Sequence, residues 1–182
     1  MNEKRQLLIE TALTLFYQNG INSVGINEVL KVSGVAKKTL YSHFDSKESL
    51  ILSVLEHRHH IFIGWLENQL EGVTNNLELV ETLFSALKSW FVGAEPALGH
   101  FRGCFFINSS AEFSDPDSAV TLYCQKHKQE VKNLIKHKMT GEDDLLLNAI
   151  CIMKEGAITT AYITGDHDVS DQCIKILKSN MC

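Results

Sequence analysis

Apolar residues recur at intervals of three and four positions along almost the whole chain, which is the period of a helix with one buried face. In the first segment, at about residues 3–19, this face is formed by Leu8, Ile9, Ala12, Leu15 and Phe16. Gly20 follows, and a glycine at this point is typical of the residue after a helix end. No segment alternates apolar and polar residues for long enough to predict a strand. The pattern therefore predicts an all-α protein.

Two short amphipathic segments follow the first helix and are joined at Gly34. The apolar face of the first is formed by Ile26, Val29 and Leu30. The second is bracketed by Val35 and Leu40. Because glycine tolerates a positive φ, Gly34 suits a tight turn between them. The sequence here predicts a helix-turn-helix.

The second short helix carries an outward face of small, polar, basic and aromatic side chains. Besides Ala36, this face consists of Lys37, Lys38, Thr39, Tyr41, Ser42 and His43. Such a face suits a helix that lies in a groove of DNA. We therefore expect this segment to contact double-stranded DNA.

Six further helices are predicted, which brings the total to about nine. Asp45 or Ser46 can cap the long helix that stays periodic to about Leu70 and ends near Gly72, and Glu48 is placed to complete a capping box with Asp45. The later helices are predicted at about residues 77–91, 103–112, 118–139, 142–164 and 170–181. The chain shows no internal repeat.

The helix predicted at about residues 142–164 is apolar almost all round, and such a helix must be buried on all sides. Its apolar residues include Leu146, Ala149, Ile150, Met153, Ala157 and Ile163. One interpretation is a central core helix. The other is a subunit interface, in which this helix and the last one pair with their symmetry mates in a four-helix bundle. We favour the interface, because helix-turn-helix proteins commonly bind DNA as dimers.

The net charge of −5 at first argues against a nucleic-acid partner, but the charge is unevenly distributed. Residues 1–50 carry six Lys and Arg against five acidic residues, and the remainder carries 11 against 17. The acidity therefore belongs to the larger C-terminal part, and the predicted DNA face keeps its local basic cluster.

Three segments of the chain resemble, in the same order, the TetR/AcrR family of bacterial transcriptional regulators. They are the first helix ending in Phe16 and Gly20-Ile21, the run 34–44 with its Leu-Tyr-Ser-His-Phe end, and the helix start at 45–50. Residues 103–108 also resemble a segment found in one branch of this family.

The resemblance implies a helix-turn-helix DNA-binding domain at residues 1–48 and a ligand-binding and dimerisation domain at residues 49–182. It further implies a homodimeric regulator, expected to be a repressor, whose recognition helices enter successive major grooves about 34–36 Å apart. A small apolar or aromatic effector would release it from a pseudo-palindromic operator. Two residues depart from the family pattern. Leu30 replaces the usual Ala, and Ala36 replaces the usual Ser and so removes an N-capping side chain.

Within the predicted DNA face, the chemistry of each side chain suggests a role. Lys37 and Lys38 can reach phosphates or guanine edges, and Thr39 and Ser42 are short enough to lie against base edges. Taken singly, each is also compatible with a solvated surface residue.

Three more residues are expected to contact phosphates. They are Tyr41, as in the resembling family, His43, and Lys47 in the first turn of the next helix. The alternatives are a half-buried core aromatic for Tyr41 and solvated surface positions for the other two.

In the resembling family, the C-terminal part forms a ligand cavity between helices. The predicted lining consists of large aromatic residues, namely Phe62, Trp65, Trp90, Phe101, Phe105 and Tyr123. The alternative for each is simple core packing.

The five cysteines contain no Cys-x-x-Cys pair, so their spacing predicts neither a disulfide framework nor a zinc site. Cys104 suggests an alternative function, a thiol-based redox or electrophile sensor, because His100 or Arg102 can lower the pKa of its thiol. Its apolar followers favour an inert buried thiol instead. His57 and His60 share a helix face but lack a ligand shell, so no metal site is expected.

Other classes of protein fit less well. The sequence shows no catalytic motif that would support an enzyme built on a helical core. A nucleoid protein would be strongly basic, whereas the pI of this chain is about 5.9. The most apolar segment is interrupted by Asn148, Lys154 and Glu155, so no membrane span is expected. No signal peptide is recognised. We expect a cytoplasmic protein without a cofactor.

Overall fold

The computed structural model describes residues 3–181, and the regular structure in that range is entirely helical. The helices are α1 (Glu3–Asn19), α2 (Ile26–Ser33), α3 (Lys37–Tyr41), α4 (Lys47–Gln69), α5 (Asn76–Phe91), α6 (Phe105–Ala111), α7 (Ala119–Lys138), α8 (Asp144–Thr164) and α9 (Val169–Ser179), with a short 3₁₀ turn at Pro96–Leu98. The predicted all-α class and the count of about nine helices are confirmed for these residues.

The predicted glycine stops of α1 and α2 are both confirmed. Gly20 has φ of +86° and donates its N–H to the carbonyl of Phe16 at 2.9 Å. Gly34 has φ of +68°, and its N–H reaches the carbonyl of Leu30 at 3.0 Å. Both glycines adopt the left-handed conformation that closes a helix and turns the chain.

The start of α4 differs from the capping box predicted for Asp45 and Glu48. Ser46 and Ser49 form the reciprocal pair instead. The Ser49 N–H donates to Oγ of Ser46 at 3.1 Å, and the Ser46 N–H donates to Oγ of Ser49 at 3.2 Å. Ser46, one of the two caps that the sequence predicted, is therefore confirmed. The predicted Asp45–Glu48 box is wrong by one residue, because both pairs have the three-residue spacing that a box requires.

The chain forms two compact units. Among the described residues, the first contains those up to His60 together with Phe105–His127, and the second contains Ile61–Cys104 together with those from Lys128 onward. Helices α4 and α7 each contribute to both units. The boundary predicted after residue 48 falls in the first turn of α4.

Each unit has its own apolar core. In the first unit, the most deeply buried side chains include Leu8, Ala12, Val29, Leu40, Leu50 and Val54. In the second, they include Leu66, Leu79, Leu83, Phe84, Ile135 and Ile150. Burial on this scale stabilises each unit by about 1.5–3 kcal/mol for every large apolar side chain removed from water.

Helix α8 is buried on one side only. Ile150 and Ala157 face the core, whereas Leu145, Ile152 and Ile163 are 72–83% exposed. The interpretation of α8 as a central core helix is therefore wrong within a single chain. None of the helices in residues 3–181 combines the length and apolarity needed to cross a membrane.

Candidate nucleic-acid interface

Helices α2 and α3 form the helix-turn-helix, and the short turn between them is fixed by the backbone. The left-handed Gly34 is followed by Val35, whose side chain is buried. Oγ of Ser33 accepts the N–H of Val35 at 3.3 Å and donates to the carbonyl of Leu30 at 3.4 Å. These contacts define the point at which α3 begins.

Helix α3 has only five residues, and one face of it anchors the helix to the core. Leu40 is fully buried, and Phe44, just after the helix, is almost so. Ala36 is the N-cap, with extended backbone and no capping side chain, as the departure from the family pattern predicted. A helix this short is not stable alone, so its order depends on those buried contacts.

The opposite face of α3 brings together six of the seven residues predicted to contact DNA. Lys37, Lys38, Tyr41 and Ser42 are exposed, and Thr39 and His43 are partly exposed. Tyr41 is 45% exposed, which is high for an aromatic residue beside a core. Oγ of Ser42 donates to the carbonyl of Thr39 at 2.7 Å.

The seventh residue, Lys47, is partly buried and is held by the chain itself. Its Nζ donates to the carbonyl of Ile21 at 2.7 Å and lies 5.9 Å from the ring centroid of Phe16. Burial lowers the pKa of Lys47, and the carboxylate of Glu112 partly opposes this shift. An ammonium group has three donors, so the bond to Ile21 does not use its whole capacity.

The sequence interpretation missed Glu112, which follows α6. Its carboxylate accepts the N–H groups of Ile21 and Asn22, at 2.8 and 2.7 Å, in the loop between α1 and α2. Its carbonyl accepts Nδ2 of Asn22 at 2.9 Å. The partners are about 90 positions apart in the chain, so no local pattern signals this contact.

Four of the six residues predicted to line a ligand cavity lie together in the second unit. Phe62, Trp65 and Trp90 are buried against one another, with ring centroids 5.3–6.3 Å apart. Nε1 of Trp65 donates to Glu95 at 2.8 Å. The half-buried ring of Phe101 meets Trp90 edge-on at 4.9 Å. This cluster fills space in the core of the unit.

Phe101 also lies beside an open pocket of about 550 Å³ in the second unit. Its other lining residues include Phe91, Arg102, Tyr162 and His167. Nearby, Gly103 has φ of +78°, and a Cβ placed on it would lie 3.1 Å from the ring of Tyr162.

The other two predicted lining residues, Phe105 and Tyr123, belong to the first unit. Phe105 is buried and packs edge-on against Tyr17, with centroids 5.8 Å apart. Tyr123 meets the ring of His59 edge-on at 6.2 Å. The predicted set is therefore divided between the two units.

Cys104 is a buried thiol whose neighbour is Lys128. Nζ of Lys128 lies 3.2 Å from Sγ of Cys104 and 2.6 Å from Glu155, whereas the sequence had suggested His100 or Arg102 as the influential cation. Burial acts to lower the pKa of Lys128, but the Cys104 sulfur and the Glu155 carboxylate outweigh it, so the pKa of Lys128 is raised. Within residues 3–181, no three His, Cys, Asp or Glu side chains come together as a metal site.

Comparisons with known proteins point to one family. Residues 8–54 match the family described as bacterial regulatory proteins, tetR family. The HTH-type transcriptional regulator YuxN from Bacillus subtilis is 47% identical over 57 residues, which cover 31% of this chain and 20% of that protein. The regulator AcrR from Shigella flexneri is 28% identical over 169 residues, covering 90% of this chain and 76% of AcrR.

A solved structure extends the likeness to both units. A TetR-family transcriptional regulator from Streptomyces coelicolor superposes with a TM-score of 0.84 at 25% identity, covering 98% of this chain and 94% of that one. The chain nevertheless spans less than two thirds of the length of the first curated relatives that it matches. None of these likenesses supports the thiol-sensor alternative.

Proposed function

We propose that the chain, whose residues 8–54 match the tetR family of bacterial regulatory proteins, represses transcription by binding operator DNA through α3. The observation that carries this proposal is the exposed face of α3, where Lys37, Lys38 and Tyr41 stand opposite the buried Leu40. Lysines and a tyrosine hydroxyl contact phosphates and base edges, and the buried residue fixes their direction. Such a protein acts in the cytoplasm, where the DNA is, and the proposal assigns it no catalytic reaction.

The proposed regulator is a homodimer that pairs through α8 and α9. The exposed apolar side chains Leu145, Ile152, Ile163 and Ile176 support this part of the proposal, because a monomer gains nothing by exposing them. A groove of about 360 Å³ between the two helices is lined partly by Met153 and by two of these residues, Leu145 and Ile176. A two-fold dimer would present two α3 helices to successive major grooves, about 34–36 Å apart.

An apolar or aromatic effector is proposed to release the repressor. Of the predicted lining residues, Phe101 lines the open pocket of about 550 Å³ together with Phe91 and Tyr162, and this pocket offers the aromatic surface that such a ligand needs. The effector must bind more tightly to the conformation with low operator affinity, since only differential affinity shifts a population.

The DNA-binding part is tested by selecting genomic fragments with the purified protein and titrating the recovered site at several salt concentrations. We expect one short inverted repeat. Lys38→Ala should weaken binding and reduce the slope of log K against log [salt] by about 1, because one phosphate contact is lost. Lys136→Ala, which removes an exposed lysine of α7, is the control. Recovery of no specific sequence would overturn the proposal.

The dimer is tested by sedimentation of Ile152→Glu. This variant should be monomeric, because it places a charge in the proposed apolar interface. Leu122→Glu changes an exposed apolar residue of α7 and should leave the assembly unchanged. A dimeric Ile152→Glu variant would exclude this face as the interface.

A further inference from the structure

Helix α6 is fixed on both sides within the first unit. Phe105 packs against Tyr17 of α1, and the ring of Phe106 stacks on His127 of α7 with a centroid separation of 3.4 Å. His127 in turn is hydrogen-bonded to His59 of α4. The position of α6 is therefore defined by α1 and by α7, which is itself joined to α4, and the C-terminal end of α6 leads directly to Glu112.

At the C-terminal end of α6, Glu112 forms hydrogen bonds with the loop that joins α1 to α2. Its two carboxylate oxygens accept the adjacent N–H groups of Ile21 and Asn22, so the contact is bidentate and charge-assisted. Oε1 lies 3.2 Å from the site where a Cβ on Gly20 would stand, so the loop approaches the carboxylate closely.

The peptide groups of Ile21 are held from two directions. Glu112 binds the Ile21 N–H, and Lys47 at the start of α4 binds the Ile21 carbonyl at 2.7 Å. The side chain of Ile21 is itself buried. The loop leads into α2 and then into α3, so a displacement of this loop changes the direction of the DNA-binding face.

We propose that Glu112 is a positioning residue for DNA binding, through which α6 sets the orientation of the helix-turn-helix. The inference rests on the proposed function, because it assumes that α3 binds an operator. It adds a residue outside the helix-turn-helix, which does not itself touch DNA but determines how well α3 fits the groove.

The sign of the effect distinguishes this role from that of an ordinary surface acid. Removing a carboxylate near a DNA-binding head reduces repulsion of phosphates and should strengthen binding. Removing a positioning residue should weaken binding, although the protein becomes less acidic. The two roles predict opposite changes.

The test compares Glu112→Ala, Glu112→Gln and the control Glu56→Gln, which changes an exposed carboxylate of α4. Affinity is measured by fluorescence anisotropy with a labelled duplex of the inverted repeat recovered by selection, well below the melting temperature of each variant. Glu112→Ala should bind about tenfold more weakly, within the range of coupling between distant sites. Glu112→Gln keeps one acceptor oxygen and should lie between the wild type and Glu112→Ala. The salt slope should not change, since no phosphate contact is lost.

Unchanged or stronger binding by folded Glu112→Ala would overturn the role of Glu112 and leave the proposed function intact. Failure of the wild-type protein to select any DNA would instead overturn the proposed function. Amide hydrogen exchange provides a readout that needs no DNA. The amides of Ile21 and Asn22, and those of α2, should exchange faster in Glu112→Ala, and unchanged protection would contradict the proposal.

Discussion

The Nδ1 atoms of His59 and His127 lie 2.9 Å apart in the interior of the first unit. A neutral imidazole has one N–H and one acceptor nitrogen, so one of these rings donates its Nδ1 proton and the other accepts it. Both side chains are buried. The pair joins α4 to α7, and the stack of His127 on Phe106 extends the connection to α6.

Replacing one member of this pair should destabilise the protein. His127→Leu removes the buried hydrogen bond between the two Nδ1 atoms, and the loss of such a bond typically costs about 1–3 kcal/mol. Urea unfolding followed by circular dichroism measures the change. His137→Gln alters an exposed histidine of α7 and should change stability by less than about 0.5 kcal/mol. A double variant, His59→Leu with His127→Leu, should cost less than the two single losses added together, and strict additivity would argue against direct coupling.

Ala36→Ser should stabilise the helix-turn-helix. Ala36 already has the extended backbone of an N-cap but lacks an acceptor side chain, and a serine at such a position contributes about 1 kcal/mol. Thermal unfolding measures the gain. Ala36→Leu supplies no acceptor and serves as the matched comparison. Equal melting temperatures for the serine and leucine variants would contradict the capping argument.

Glu155→Gln should strongly destabilise the second unit. Lys154 is only 3% exposed and is paired with Oε1 of Glu155, while Lys128 binds Oε2. Loss of the carboxylate leaves a buried ammonium poorly compensated, at a cost of about 3 kcal/mol. Adding Lys154→Met to Glu155→Gln should recover most of this loss, because the buried charge is then removed. If the double variant is as unstable as the single one, the charge is not the cause.

Acid should remove the stability that Glu155 gains from Lys154 and Lys128. Burial opposes ionisation of Glu155, but the ammonium groups of Lys154 and Lys128 outweigh it and lower the pKa of Glu155 below its ordinary 4.5. A lowered carboxyl pKa gives stability that is fully present above pH 4.5 and is lost as the pH falls toward the folded-state value. Unfolding free energies between pH 6 and pH 3 should therefore fall more steeply for the wild type than for Glu155→Gln. Parallel curves would rule out this contribution.

His57 should give the protein a second pH dependence, nearer neutrality. Burial lowers its pKa from 6.5, Glu10 partly opposes the shift, and His60 and Arg58 add to it. Because the unfolded chain binds the proton more readily, this contribution is complete above pH 6.5 and is lost as the pH falls below it. In His57→Gln, the unfolding free energy should vary less between pH 7 and pH 5.5. A variant with the wild-type profile would assign the dependence to another group.

Local pattern was enough to predict the helices and the face of α3, because helical period, glycine stops and capping act within a few residues. It failed where two local solutions compete, as with Asp45–Glu48 and Ser46–Ser49, which differ by a shift of one residue. It also could not pair residues distant in the chain. His59 meets His127 across 68 positions and Glu112 meets Ile21 across 91, and only the packing of helices brings these together. The same aromatic residue types pack cores and line ligand cavities, so the sequence cannot distinguish the two roles. For Phe62 and Trp65 the ligand-lining role therefore stays a prediction.

The close approach at Gly103 constrains how this chain can vary during evolution. Its φ is positive and a Cβ here would lie 3.1 Å from the ring of Tyr162, so mutation to any other residue meets backbone strain and forces the ring to shift by a few tenths of an ångström. Relatives that keep an aromatic residue at position 162 should therefore keep glycine at position 103, and a loss of one should accompany a change in the other. In the Gly-Cys-Phe-Phe run that begins at residue 103, selection would then act on Gly103 rather than on the thiol of Cys104.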